Sequence, residues 1–208
     1  MKSADYRQEN IARALEATYQ LGIEVGVAEL SQKDIAEKAH LSIKSIKRYF
    51  NTKTDLIFQV SKMVVQRNYD KIMELYRAQN PERENGKKRL EMLVKTHNSY
   101  VLREYKSSIF VMNADIYCRY HDGTQGNYWK QFRHTGSLQR GIAQMIHLGQ
   151  EDGSIRKELQ SGEFEYFVTT LCVGFVERMV NDIDCGIKTV DEAIALSDKL
   201  IDTTLKYF

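Results

Sequence analysis

The chain has 208 residues, a formal net charge of +2, 42% hydrophobic and 28% charged residues, and a single proline. This is long enough for one large domain or for a small domain joined to a larger one, and the long stretches of 3.6-residue periodicity with almost no strand signal predict an all-α protein. No apolar run approaches the roughly eighteen residues of a membrane span, and the polar start MKSADYRQEN lacks a signal-peptide core, so a cytoplasmic chain with no membrane partner is expected. The cysteines Cys118, Cys172 and Cys185 lie far apart without CxxC spacing, the histidines are scattered, and there is no Gly-rich phosphate loop, GxSxG or HExxH. An enzyme, a catalytic residue, a cofactor and a metal site are therefore all unexpected.

In chain order, a first amphipathic helix is predicted from about Asp5 to Leu21, with Ile11, Leu15, Thr18 and Tyr19 on one face and Gly22 and Gly26 stopping it. Ser31 and Asp34 have capping-box spacing, so a short helix carrying Ile35, Ala36 and Ala39 starts at Gln32. After the link AHLS, Ser42 caps a second short helix with Ile43, Ile46 and Phe50 at spacings of three and four. Thr52 and Asp55 open a longer helix, Thr54 to about Gln79, which ends before Pro81. A helix over Lys88 to Glu104, a buried helix over Ile109 to Tyr117 and a longer one over Asn127 to Glu151 follow. A strongly apolar helix starting at Ser161 or Gly162 and a last one over Val190 to Leu205 complete the chain.

Between Lys38 and Lys53 there are five Lys or Arg and no Asp or Glu, whereas residues 151–208 hold 12 acidic and 6 basic residues. A helix with a narrow apolar footing and long cationic side chains suits the DNA major groove, where base edges and phosphates are within reach. Position along that helix makes Ile43, Lys44, Ser45 and Arg48 the base-reading candidates. Lys33, Ser42, Lys47, Tyr49 and Lys53 are the phosphate candidates, helped by N–H groups at helix starts. The partner is then double-stranded DNA.

The segment IARALEATYQLGIEVGVAELSQKDIAEKAHLSIKSIKRYFNTKTDLI resembles the N-terminal domain of TetR/AcrR-type transcriptional regulators. The resemblance is carried by Ile11 to Gly22, Gly26, the Ser31-capped Asp34-Ile35-Ala36, the helix from Ser42 to Tyr49-Phe50, and Lys53 to Leu56. It departs at His40, where the family has glycine, and at Lys47, where it has an aromatic. The resemblance implies a helix-turn-helix DNA-binding domain over residues 1–53, and a helical ligand-binding and dimerisation domain over 54–208, with the fourth helix connecting the two. It also implies a repressor.

In the second half, polar residues among apolar ones point to an effector pocket. His97, Tyr100, Phe110, Asn113, Tyr117, Trp129, Phe132, Phe167 and Thr170 are its candidates, for an apolar or aromatic small molecule. The broad apolar stripes of the last two helices, with Phe164, Val168, Leu171, Phe175, Met179, Ile194, Ile201 and Leu205, suit pairing with their copies in a second subunit, and the family dimerises through the same helices. A two-fold homodimer implies a palindromic operator. The competing reading is a helical adaptor that keeps the helix-turn-helix as a scaffold for protein contacts.

Overall fold

The computed structural model describes residues 2–121, 137–158 and 160–207, and among these it contains helices and no strand. The helices are α1 (Lys2–Val25), α2 (Gln32–Lys38), α3 (Ile43–Tyr49), α4 (Lys53–Arg77), α5 (Gly86–Arg103), α6 (Tyr105–His121), α7 (Ser137–Asp152), α8 (Ser161–Asp184) and α9 (Val190–Lys206), with a 3-10 turn at Pro81–Arg83. The all-α expectation holds.

Two compact units form. The first comprises residues 1–66 and 109–135, the second 67–108 and 136–208. In the first, α1 to α3, the start of α4 and residues 109–121 of α6 surround Ile35, Ile46, Phe50, Leu56, Ile57, Val60 and Phe110, each at most 1% exposed. Residues 109–121 of α6 therefore serve the core beneath the short helices, a role that local periodicity gives no means of seeing.

α1 runs through Gly22 and stops at Gly26, whose φ of +90° only glycine adopts at no steric cost. Gly22 has another role: a Cβ there would lie 2.4 Å from the Phe110 ring, so the missing side chain lets α6 pack close against α1. Tyr19 completes that contact, edge-on to Phe110 at 5.3 Å between centroids.

The second unit has its own core of Leu90, Leu93, Val94, Ile142, Ile146, Ile155, Phe164, Val168, Ile201 and Leu205. α5 and α7 cross where Gly86 meets Gly149, so closely that a Cβ on Gly86 would lie 2.0 Å from the Gly149 nitrogen. Asp152 then accepts a hydrogen bond of 2.6 Å from the Gly86 N–H at the start of α5, and Ser154 Oγ accepts one of 3.0 Å from Lys87 N–H. Hydrogen bonds from the Ser154 side chain, then from the Gly86 and Ser154 N–H groups, hold the Asp152 carboxyl below its ordinary value. α7 starts at Ser137; the portion of the expected Asn127–Glu151 helix before it lies outside the described residues.

Candidate nucleic-acid interface and effector region

α2 and α3 are built from their caps. Ser31 Oγ accepts the Asp34 N–H at 3.1 Å and Ser42 Oγ accepts the Ser45 N–H at 3.1 Å, each cap stabilising its short helix by about 1 kcal/mol. The link between them closes as a Schellman motif: Leu41 N–H donates to the Ala36 carbonyl at 2.8 Å and His40 N–H to that of Glu37 at 3.0 Å. That geometry requires a left-handed residue, and His40 has φ +53°. The departure from glycine leaves the turn type unchanged and loads it with strain.

α3 sinks only Ile46, fully buried, while Phe50 just beyond its end is 1% exposed. The rest of its surface carries Ile43, 43% exposed, with Lys44 and Lys47 exposed and Ser45 half-buried beside Ser42. Lys33 is exposed near the start of α2. Among the described residues, Lys33, Lys44 and Lys47 make no ion pair, so α3 exposes two free ammonium groups and α2 one.

Three cationic residues of this segment are engaged. Lys38 pairs with Glu24 at 2.7 Å. Lys53 donates to the Ala28 carbonyl at 2.9 Å with its ammonium 4.9 Å from the Tyr117 ring centre, and burial lowers its pKa. Arg48 lies along the Tyr49 ring, 5.0 Å from its centre, and donates to the Tyr49 hydroxyl at 3.0 Å. Tyr49 itself is half-buried and packs on the first core. Its hydroxyl also accepts from Asn10 of α1 at 3.2 Å, and hydrogen bonds from Arg48 and then Asn10 hold its pKa below the ordinary phenol value. Sequence reasoning missed Asn10. It sits in a polar run where periodicity marks nothing, yet it is only 2% exposed.

Among the described residues, the effector-pocket candidates are divided between the two units. Phe110 is core of the first unit, Asn113 is exposed on α6, and Tyr117 stacks on His121 at 4.0 Å beneath Lys53. Phe167 and Thr170 are exposed on α8, and Trp129 and Phe132 lie outside the described residues. His97 and Tyr100 both lie on α5 in the second unit, each with its own polar partners. His97 Nδ1 bonds Asn98 Oδ1 at 2.9 Å, and burial lowers the imidazole pKa against that bond. Asn98, 1% exposed, donates to Ser197 Oγ of α9 at 2.8 Å, and Tyr100 OH donates to Asn68 Oδ1 at 3.4 Å.

Next to Asn98 a small cleft of about 20 Å³ is lined by Val94, Val168, Leu171, Leu200, Ile201, Thr204 and Leu205. Ser197 was not anticipated; its signal was a serine in the Ala193, Ile201, Leu205 spacing. The dimer candidates lie in the same region. Phe164, Val168, Ile201 and Leu205 belong to the second unit's own core, Met179 is buried, and Leu171, Phe175 and Ile194 are half-buried. The apolar stripes of α8 and α9 close the second unit against α5 and α7, leaving Tyr166 at 72% and Leu196 at 41% exposure on their outer sides.

Capped short helices, a Schellman link and an outward basic face on an all-helical scaffold define a helix-turn-helix DNA-binding protein. Residues 14–60 match the family model for bacterial regulatory proteins of the tetR family, so this segment is a tetR-type N-terminal domain. Among solved structures, the chain is similar to the fatty acid degradation regulator FadR from Bacillus halodurans (19% identity, 92% of this chain and 93% of that one, TM-score 0.66). It is also similar to FadR from Bacillus subtilis in complex with stearoyl-CoA (15% identity, 92% and 95%, TM-score 0.68). A third similar structure is the TetR-family regulator PfmR from Thermus thermophilus (16% identity, 93% and 97%, TM-score 0.64). At these identities the likeness is one of fold. No curated protein sequence matches the chain. No helix among the described residues is long and apolar enough to cross a membrane, and none of their His, Cys, Asp and Glu groups is arranged to hold a metal.

Proposed function

We propose that the chain is a ligand-responsive repressor of the cytoplasm that binds a palindromic operator as a homodimer. The observation that carries the reading is the face of α3, where Ile43, Lys44 and Lys47 stand outward above a footing reduced to Ile46. Ile43 and Lys44 are placed for base edges, a thymine methyl and guanine acceptors respectively, with Ser45 beside them. Lys33 and Lys47 supply charge to phosphates, and the N–H groups opening α3 add to it. Lys53, tied to Ala28, orients the junction with α4 before it can serve a phosphate.

A single seven-residue helix reads only a few base pairs, so useful discrimination needs two. The exposed outer sides of α8 and α9, with Tyr166 and Leu196, are where a second copy would pack. The effector is a small apolar molecule taken up in the second unit near Asn98 and His97. FadR of Bacillus subtilis holds stearoyl-CoA on a similar fold, so compounds carrying a fatty acyl chain, free or as a CoA thioester, are the first to screen.

Selection of random duplexes by the purified protein tests the reading. Enrichment of a two-fold symmetric sequence, bound by two chains in sedimentation and released by an apolar ligand, is the expected result. Asymmetric enrichment, or one chain per duplex, would contradict the dimeric operator. Salt-insensitive failure to bind any duplex, with capture of a protein partner, would favour the adaptor reading.

A further inference from the structure

The hydrogen bonds around Tyr49 have a forced direction. Arg13 of α1 donates from its guanidinium to Asn10 Oδ1 at 2.5 Å. A guanidinium can only donate, so the Asn10 atom facing it is the oxygen and the one facing Tyr49 is the NH2 group. That NH2 also can only donate, as can Arg48, which reaches the same hydroxyl from the other side. The Tyr49 oxygen therefore accepts two hydrogen bonds, and its own hydrogen is directed at neither donor. Among the described residues that hydrogen has no acceptor.

We propose that Asn10, held by Arg13, is a positioning residue that makes Tyr49 an obligate hydrogen-bond donor to a phosphodiester oxygen of DNA, with Arg48 kept flat along the ring beside it. The inference rests on the DNA-binding reading of α3 and adds a determinant from α1. The acceptor is anionic because the surroundings are cationic: Arg48 is in contact, Arg13 stands one residue behind through Asn10, and Arg7 acts on the same hydroxyl at longer range. The lowered Tyr49 pKa has the same origin and makes the hydroxyl a stronger donor. A neutral acceptor such as a base edge would leave these charges unmatched. Arg48 is thereby shifted from reading bases to supporting a backbone contact, leaving Ile43, Lys44 and Ser45 to discriminate sequence.

Asn10→Asp reverses the polarity. A carboxylate still accepts from Arg13, but it can only accept from Tyr49 as well, so it draws the phenolic hydrogen inward. The experiment is a thermodynamic cycle of wild type, Asn10→Asp, Tyr49→Phe and the double variant, titrated by anisotropy on the duplex that the wild-type protein selects, with circular-dichroism melting of each. Tyr49→Phe is expected to weaken binding about ten-fold, the loss of one exposed charge-assisted hydrogen bond. Asn10→Asp should weaken it as much on its own and less than about two-fold in the Tyr49→Phe background. Equal losses from Asn10→Asp in both backgrounds, or wild-type affinity for Tyr49→Phe, would overturn the inference. If Asn10→Asp does not fold, Asn10→Ala takes its place in the cycle with the same non-additivity required. Absence of any selected duplex for the wild type would refute the DNA-binding reading itself, and the inference with it, whereas a good duplex with additive losses refutes the inference alone.

Discussion

Replacing His40 by glycine and by valine separates backbone strain from every contact its side chain makes. The residue closes the turn between α2 and α3 at φ +53°, with its side chain exposed. A left-handed conformation costs an L-residue about 1–2 kcal/mol, and glycine avoids it while giving up about 0.5–1 kcal/mol of extra unfolded-state freedom. His40→Gly should therefore stabilise the first unit by roughly 0.5–1 kcal/mol, and His40→Val, β-branched and poorest in this region, should destabilise it by about 1–2 kcal/mol. For a chain of this size 1 kcal/mol moves a melting midpoint by about 2–4 °C, so the three proteins should melt in the order Gly, His, Val over several degrees. Amide exchange in α2 and α3 should follow the same order. Valine equal to or above histidine would refute the left-handed turn.

Three further outcomes are expected. Gly86→Ala should destabilise the second unit by about 3 kcal/mol, because the new Cβ would meet backbone of Gly149 at 2.0 Å, while Gly162→Ala, with nothing within 4 Å, should be neutral or better; near-wild-type urea unfolding of Gly86→Ala would contradict the α5–α7 crossing. Lys47→Ala should lower the salt slope of DNA binding by about one unit while leaving the selected sequence unchanged; a changed sequence preference would make Lys47 a base reader. The lowered His97 pKa means that the unfolded chain takes up a proton below about pH 6.5 when the folded one does not, so stability should fall as pH drops from 7 through 6, and His97→Gln should flatten that limb in denaturant titrations at a series of pH values; an unchanged limb would show that the imidazole protonates freely in the fold.

The sequence-level reading was strongest where the signal is local. Ser31 and Thr52 accept the Asp34 and Asp55 N–H groups predicted from capping-box spacing, Ser42 accepts that of Ser45 as its predicted cap role requires, and α2, α3 and α4 begin directly after them. The basic face of α3 was legible for the same reason: its residues need only a helix beneath them. Residues that answer to distant partners were not legible. Gly22 reads as a helix stop in sequence and is a helix-packing glycine in space, since Phe110 is far along the chain. Asn10 has no periodic mark, because the group it bonds, the Tyr49 hydroxyl, is 39 residues away. Periodicity says that a face is covered and not by what: Phe164, Val168, Ile201 and Leu205 of α8 and α9 lie in the second unit's own core, while Leu171, Phe175 and Ile194 are half-buried. Aromatics in the middle helices were divided between the first core and the surface by the same limitation. Phe110 went to the first core, Tyr117 to the junction with Lys53, and Phe167 to the exposed side of α8.

The most direct test of DNA reading by α3 is an anisotropy titration of the selected duplex, at two salt concentrations, with wild type and with Lys44→Ala combined with Lys47→Ala. Both lysines are exposed and without an ion pair among the described residues, so the fold should be unchanged, as circular dichroism would verify. Wild type should bind tightly, resist competitor DNA and weaken steeply with salt, and the double variant should lose at least about a hundred-fold in affinity with a shallower salt slope. A double variant that binds the selected duplex as wild type does, with the same slope, would show that α3 is not the reading helix.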